Sequence, residues 1–215
     1  MLLPCLMLVL LQTVVSVVRN ETCPTIAPRE LNWKEVSLLD GKWYVVAISS
    51  DTPVDGDCAT VVFNHKTENT TDVSISWNNN GTAGSYNGSV QLIGDPKNNG
   101  TGDLLVFTYT DSKEERYSFL DVNYENYAVM FACTNNEDGN SSTYELWKLI
   151  RSQHLKDDDA AKLDAAIVKY NLQDTEFRNY NNTEDACRLN SGYYMQPSTL
   201  IMTSASAILF LRRLF

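Results

Sequence analysis

Histidine and positive charge are scarce in this sequence. Its 215 residues include two histidines, and 17 lysines and arginines stand against 27 aspartates and glutamates, which gives a formal net charge of −10. Because nucleic acids and anionic lipid surfaces bind clustered basic side chains, neither is expected as a partner. The sequence has no Gly-rich phosphate loop and no residues at metal-ligand spacing, so we expect no cofactor, no metal site and no catalytic residues. His65 and His154 are interpreted as surface residues.

Cysteines are few and widely separated. Of the five, Cys5 lies in an N-terminal apolar run, and the other four form an even set at positions 23, 58, 133 and 187. No two of these have C-x-x-C spacing, which argues against zinc. An even number in an extracellular chain predicts two disulfide bonds, and the spacing leaves three connectivities open. If both bonds form, no thiol remains to act as a nucleophile.

Long apolar runs are missing except at the two ends of the chain. Residues 1–16 are uncharged and apolar and end on Val14, Val15 and Ser16, which is typical of a secretory signal peptide, although no basic residue precedes the run. A membrane span needs about 20 apolar residues, and Arg19 and Glu21 interrupt this run too early. Residues 1–16 are therefore predicted to be a cleaved signal peptide.

The C-terminal segment, residues 191–215, has the order of a signal for attachment of a glycosylphosphatidylinositol (GPI) anchor. Small residues at 190–192 are followed by a short spacer and by an apolar tail at 200–211. This order predicts attachment at Asn190 or Ser191 and removal of the tail. The spacer is short and two arginines follow the tail, so a disordered apolar tail or a short strand is the alternative.

Seven N-x-S/T sequons predict N-glycosylation in the secretory route. As a set they mark exposed surface. Their asparagines are Asn20, Asn69, Asn80, Asn87, Asn99, Asn140 and Asn181.

Between the two ends, residues 17–190 are predicted to form one all-β domain with a single helix. β-branched and aromatic runs alternate with clusters of Asn, Gly, Asp and Pro, which fits a hairpin-connected barrel or sandwich. Three aspartates at 157–159 then load the first turn of a helix, where the helix dipole favours anions, and apolar residues from Ala160 to Tyr170 share one face. The predicted strands are 41–50, 57–66, 71–78, 84–93, 103–110, 114–121, 126–134 and 142–151.

Three motifs resemble those of the lipocalins. Gly41 and Trp43 form a G-x-W motif that opens the first predicted strand, Tyr127 lies at the start of the seventh, and Arg151 ends the eighth. The resemblance implies an eight-stranded up-and-down antiparallel barrel with one C-terminal helix packed on its wall. It also implies that Arg151 lies across the Trp43 ring at the closed end, in a cation–π contact.

Within that family the chain resembles the apolipoprotein D and Lazarillo-type insect lipocalins. The similarity lies in Cys23-Pro24 near the predicted mature N-terminus and in the late Cys187 after the helix. The resemblance implies the pairs Cys23–Cys133 and Cys58–Cys187.

A cup in such a barrel is predicted to bind a small hydrophobic ligand. Strand alternation from Trp43 and Arg151 suggests which side chains point inward. Alternatively, the same rings simply fill a small barrel. Acidic side chains, which a cup for amines would need, are not expected at these positions. The predicted ligand-binding residues are Ala47, Phe107, Tyr109, Tyr117, Phe119, Val129, Phe131 and Trp147, with Tyr127 as a further inward candidate.

These patterns together predict an extracellular carrier held at the cell surface. We expect a monomer that binds a small hydrophobic ligand and contacts the membrane only through its lipid anchor. The alternative is a cell-surface recognition or adhesion glycoprotein whose rim binds protein partners, with ligand binding secondary. The anchor signal at residues 190–211 is the feature that discriminates a free carrier from a surface protein.

Overall fold

Eight antiparallel strands and one helix make up the body of the chain. Their ends differ from the predicted ones by at most two residues, so the predicted order of elements is confirmed. The elements are β1 (Gly41–Ser49), β2 (Asp57–Thr67), β3 (Thr70–Asn79), β4 (Thr82–Ile93), β5 (Leu104–Tyr109), β6 (Glu114–Asn123), β7 (Tyr127–Asn135), β8 (Ser142–Ile150) and α1 (Asp157–Lys169).

The computed structural model describes residues 17–24, 26, 31–32, 37–50, 52–67, 70–93, 101–102 and 104–189. The predicted signal peptide at 1–16 and the C-terminal segment at 191–215 lie outside these ranges. So do the sequon residues Asn69 and Asn99 and the predicted attachment residues Asn190 and Ser191. Within the described part of the chain, no helix has the length and apolar character needed to cross a bilayer.

The strands close into a barrel. Each strand pairs with the next along the chain, and β8 also pairs with β1, where Trp147 lies opposite Ile48. The turn between β3 and β4 is tight because Asn80 and Gly81 both adopt positive φ, at 50° and 86°, which asparagine and glycine tolerate. Closure pairs the strand edges that an open sheet would expose.

The apolar side chains form two separate cores. One fills the barrel and includes Trp43, Phe63, Phe107 and Trp147. The other lies between the outer wall and α1, where Leu163, Ala166 and Ile167 of the helix are buried. α1 is amphipathic and covers this wall, so β7 and β8 have apolar residues on both faces.

The residues of β7 that were predicted to face the barrel interior are wrong by one position. Val129 and Phe131 were predicted to line the cup, but both pack beneath α1 in the outer core, and Tyr127 packs against that core too. Ala128 and Met130 point into the barrel instead. Because α1 gives β7 a second apolar environment, hydrophobicity alone does not distinguish the two faces of this strand.

The chain after the helix completes the barrel wall. β1 pairs with β2 only over residues 41–44. Beyond that point the short strand Arg178–Asn179 pairs with β1 at Ile48 and Ala47. Tyr180 donates its backbone N–H to Val46 O at 3.0 Å, and Cys58 donates to Asn181 O at 2.8 Å. Residues 178–182, the closing segment, therefore lie between β1 and β2 where these strands diverge.

Two disulfides fasten the chain outside the barrel. Cys23 is bonded to Cys133, and Cys58 to Cys187, with sequence separations of 110 and 129 residues. This is the pairing that the resemblance implies. The first bond holds the N-terminal segment on the outer face of β7, and the second holds the chain after the closing segment against the start of β2.

Candidate functional site

One end of the barrel is sealed by Trp43 and Arg151. Trp43 is fully buried and donates its indole N–H to Leu39 O at 2.8 Å. The guanidinium carbon of Arg151 lies 3.9 Å from the centre of the Trp43 ring, a cation–π geometry. Gly41 has φ of +92°, a backbone conformation that favours glycine.

The Arg151 guanidinium also donates hydrogen bonds to backbone carbonyl groups of separate segments. It donates to Tyr124 O at 2.9 Å, to Asp40 O at 2.8 Å and to Leu38 O at 2.8 Å. Burial lowers the pKa of Arg151, whereas the Asp40 carboxylate raises it; a guanidinium still stays charged at physiological pH. This end of the barrel is therefore a closed floor, and the opposite end is the open one.

Most of the predicted lining residues do lie inside the barrel. The structure places Phe107, Tyr109, Tyr117, Phe119 and Trp147 in the interior core. Ala47 is an exception: the pairing of β1 with β8 skips one residue of β1, so Ala47 lies opposite Lys148, and Ile48 takes the inward position. The bulge reverses the alternation in the upper half of β1, and the prediction for Ala47 is wrong for that reason.

Side chains fill most of the interior. Phe107 lies 5.1 Å from Tyr117 and 6.2 Å from Tyr109, measured between ring centres. Between these rings, Trp147 and the aliphatic residues around them, a cavity of about 10 Å³ remains. That is room for about one water molecule, so a ligand must displace side chains or bind above them.

Two carboxylates lie within the open half of the barrel, above these rings. Glu115 has a side chain that is 7% exposed, and Glu145 is half-buried. The Tyr117 hydroxyl lies 2.7 Å from Glu115 Oε2 and 2.6 Å from Glu145 Oε2. Tyr109 donates its hydroxyl to Glu115 Oε2 at 2.9 Å, and Trp147 donates its indole N–H to the Tyr117 oxygen at 3.2 Å. These five residues are the carboxylate network.

The phenols in this network stay neutral. Burial first, and then the nearby carboxylates, raise the pKa of Tyr117 and of Tyr109 well above the ordinary value for tyrosine. A neutral phenol has one hydrogen, so the Tyr117 hydroxyl donates to one carboxylate at a time. The open half of the barrel thus holds two carboxyl groups among aromatic rings.

Comparisons with known proteins agree with this geometry. No family model matches the sequence. The chain is 26% identical to the Lazarillo protein of Schistocerca americana over 185 residues, 83% of this chain and 82% of that protein. The fold matches insecticyanin of the tobacco hornworm Manduca sexta with a TM-score of 0.69, at 20% identity and over 82% of this chain and 94% of that one. It matches lobster apocrustacyanin A1 with a TM-score of 0.64, at 19% identity and over 78% and 92%.

The fold is that of a lipocalin. The resemblance seen in the three sequence motifs is thereby confirmed, as are the closed barrel and the packed helix. At 17–20% identity the solved structures establish this fold alone, and the chemistry of the site depends on the side chains of this chain.

The open rim of the barrel is aromatic and partly exposed. Tyr86 stacks on Tyr109 with 4.4 Å between ring centres, and it donates its hydroxyl to Asp111 Oδ2 at 2.8 Å. Burial and this hydrogen bond raise the pKa of Tyr86 to about 12. A side chain at Gly84 would overlap the Trp77 ring at 2.3 Å, so the close approach of Trp77 requires glycine at this position.

Sequence reasoning missed the two glutamates of the carboxylate network, although the signal was present. Glu115 precedes Tyr117 by two residues, and Glu145 precedes Trp147 by two. Residues two apart in a strand share a face, so the alternation that places Tyr117 and Trp147 inside also places both glutamates inside. The expectation that no acidic side chain points inward is wrong. Tyr180 was missed as well: it is 8% exposed and reaches the interior core from the closing segment.

Proposed function

We propose that this lipocalin binds a small hydrophobic ligand in the open half of its barrel. The observation that carries the proposal is the cluster of rings from Phe107, Tyr109, Tyr117 and Trp147, which stand inside one barrel end while Arg151 seals the other. Concave apolar sites with a few polar groups are typical of small-molecule binding. Because the enclosed cavity is about 10 Å³, we expect ring side chains to change rotamer when a ligand enters.

A ligand panel tests this proposal. A fatty acid, a retinoid, a steroid and a tetrapyrrole are titrated while tryptophan fluorescence and melting temperature are followed. We expect at least one to bind with micromolar affinity, to quench Trp147 and to raise the melting temperature. Trp147→Leu should weaken that binding by more than about 1 kcal/mol, since a stacked ring is lost.

Phe131→Leu is the matched control because Phe131 is equally buried but lies beneath α1. It should lower stability without changing affinity. If no compound binds, or if both variants lose affinity equally, ligand binding in the barrel is refuted.

We also propose that the protein is secreted and is held on the outer face of the plasma membrane by a GPI anchor at Asn190 or Ser191. The preceding residues support a short tether. Asn78, at the open end of β3, donates its side-chain N–H groups to Ala186 O at 2.7 Å and to Arg188 O at 2.9 Å. An anchor one or two residues beyond Leu189 would therefore leave from the open rim, so that the mouth of the barrel faces the bilayer and exchanges ligand with it.

Cleavage at the cell surface tests the anchor. Phosphatidylinositol-specific phospholipase C should release the protein from intact expressing cells into the medium, because it cuts the lipid from a GPI anchor. A variant that ends at Leu189 is the control and should reach the medium without the enzyme. Untreated full-length protein in the medium with residues 200–215 still present by mass would exclude the anchor.

Glycosylation is the third part of the proposal. All five sequon asparagines in the described ranges are exposed, namely Asn20, Asn80, Asn87, Asn140 and Asn181. Asn80 and Asn140 lie in turns at the open end. Asn87 lies mid-strand beside an outer groove of about 600 Å³ lined by Asn64, Ser74, Ser89 and Thr108 among others, where the first sugars of a glycan would contact hydroxyl and amide groups.

A further inference from the structure

The mouth of the barrel already holds an ammonium group. Lys113 Nζ contacts Glu115 Oε1, and the lysine side chain is 33% exposed whereas that of the glutamate is 7% exposed. Lys113 stands just before β6, at the open end, so its ammonium reaches the carboxylate from the solvent side. The carboxylate network is therefore already paired with a cation, the ammonium of Lys113 at the rim of the barrel.

The surroundings of this ammonium suit a cation with an aromatic body. Glu115 Oε2 and Glu145 Oε2 both lie within hydrogen-bond distance of the Tyr117 hydroxyl, at 2.7 and 2.6 Å. Tyr109 and Tyr86 form a stacked pair beside them. Carboxylates bind ammonium groups by charge-assisted hydrogen bonds, and aromatic faces attract the same groups through their quadrupole.

The filled lower barrel limits the size of such a ligand. The cavity between the rings of the network and the aliphatic residues around them is about 10 Å³, so a long chain does not fit there without large rearrangement. The half-buried groups lie higher, at Glu145, Lys113 and Tyr86. A compact ligand can bind at this level by displacing the Lys113 side chain from Glu115, while Ser50 Oγ and the Tyr117 hydroxyl stay within hydrogen-bond distance of Glu145 Oε2, both at 2.6 Å.

We infer that the mouth of this barrel binds a small aromatic amine, whose ammonium takes the place of Lys113 Nζ on Glu115 and also contacts Glu145, and whose ring packs on Tyr109 and Tyr86. The inference rests on the proposed function and narrows it from hydrophobic ligands in general to cationic ones. Lys113 then acts as an internal competitor for the amine. Neutral and anionic compounds with the same ring lack the group that the two glutamates bind.

Three indoles that differ only in charge test the inference. Tryptamine is cationic, tryptophol is neutral and indole-3-acetate is anionic, and calorimetric titration of the full chain measures each Kd at neutral pH. Tryptamine should bind at least about tenfold more tightly than tryptophol, as expected for an ion-assisted hydrogen bond. Indole-3-acetate should bind more weakly than tryptophol because the carboxylates repel it.

Glutamine variants distinguish the contribution of the carboxylates to affinity from that of apolar packing. Glu145→Gln and Glu115→Gln should each raise the Kd of tryptamine about tenfold and leave that of tryptophol unchanged. Glu114→Gln is the matched control, since Glu114 is one residue away on the outer face and pairs with Arg116 at 2.9 Å. If Glu115→Gln fails to fold, Glu145→Gln decides alone, because its side chain is half-buried.

The variant Lys113→Met tests whether the Lys113 ammonium competes with the ligand, because loss of a purely structural lysine would not increase affinity. Removing the competing ammonium should lower the Kd of tryptamine about two- to fivefold, the range of a partly exposed ion pair. Lys66→Met, which removes an ion pair with Asp72 on the outer wall, should not change the Kd of tryptamine.

Equal affinity for the three indoles would overturn the inference and leave hydrophobic binding intact. The inference would also be overturned if the Kd of tryptamine were the same for Glu115→Gln, Glu145→Gln and the wild type. Failure of every indole together with failure of the apolar panel would refute the proposed function itself.

Discussion

Arg151 and Trp43 should behave as one energetic unit. Trp43→Ala removes a fully buried ring and should lower the free energy of unfolding by about 3–5 kcal/mol. Arg151→Met should also destabilise the protein, because at least three carbonyl groups lose their donor. Because the guanidinium carbon is 3.9 Å from the ring centre, the double variant should lose less than the sum of the single losses, by about 1 kcal/mol or more. Urea unfolding of the four proteins measures this coupling.

The control for that cycle is Arg178, whose guanidinium carbon lies 5.3 Å from the Tyr180 ring. Its side chain is 46% exposed, so Arg178→Met should cost little. Strictly additive losses at Trp43 and Arg151 would show that the floor of the barrel is assembled differently.

Single positions show why the lining was only partly predictable. Cys133, which the resemblance pairs with Cys23, has the same alternation as Val129 and Phe131, and a bond to the N-terminal segment has to lie outside the barrel. Because residues two and four apart in a strand share a face, the position of Cys133 would have placed Val129 and Phe131 on the outer face as well. Glu115 and Glu145 were predictable in the same way from Tyr117 and Trp147. The bulge that turns Ala47 outward has no local signal, because it depends on how β1 meets β8 at the far end of the sequence.

Among the elements, the closing segment should give the protein an alkaline limit of stability. Burial raises the pKa of Tyr180 to about 12, and Tyr180 donates its hydroxyl to Val54 O at 3.1 Å. The folded state holds this proton more tightly than the unfolded state, where the pKa is about 10. The stabilisation is therefore complete below pH 10 and is lost between about pH 10 and 12, at up to about 1.4 kcal/mol per pH unit.

Tyr180→Phe isolates this contribution. The variant should be less stable near neutrality by about 1 kcal/mol, because Val54 O loses its donor, but its free energy of unfolding should fall less steeply above pH 10. Tyr44→Phe, on the outer wall, serves as the control. Parallel curves for wild type and Tyr180→Phe between pH 9 and 11 would contradict the assignment.

The regular elements were predictable because each has its own period. Alternation defines β1 to β8, and α1 has three aspartates in its first turn and a periodic apolar face. The strand Arg178–Asn179 has two residues and no period. It exists because β1 and β2 diverge after Tyr44 and leave backbone groups of Val46 and Cys58 that the returning chain satisfies. Such a long-range contact leaves no local pattern.

At the scale of the whole molecule, the two disulfides should differ in what they hold together. Loops of 110 and 129 residues give similar entropic contributions, about 5 kcal/mol each in the chain-entropy model. Cys58→Ser with Cys187→Ser should cost more than Cys23→Ser with Cys133→Ser, because only the former also releases the closing segment from β1 and β2.

Hydrogen exchange locates that difference. Amides in β1 from Val45 to Ile48 should lose protection when Cys58 and Cys187 are replaced and should keep it when Cys23 and Cys133 are replaced. Equal losses of stability and equal protection in the two double variants would mean that the closing segment holds its place without the bond.

The bond between Cys58 and Cys187 also decides how the barrel bears force. A pull on the chain beyond Leu189 meets Cys187 within two residues and passes directly into the start of β2. Residues 59–186 lie outside this path, so tension neither peels Arg178–Asn179 from β1 nor loads α1. Once the bond is reduced, the same pull runs back along the closing segment and breaks its hydrogen bonds to Cys58 and Val46 one after another, which opens the wall of the cup before any barrel strand is stretched.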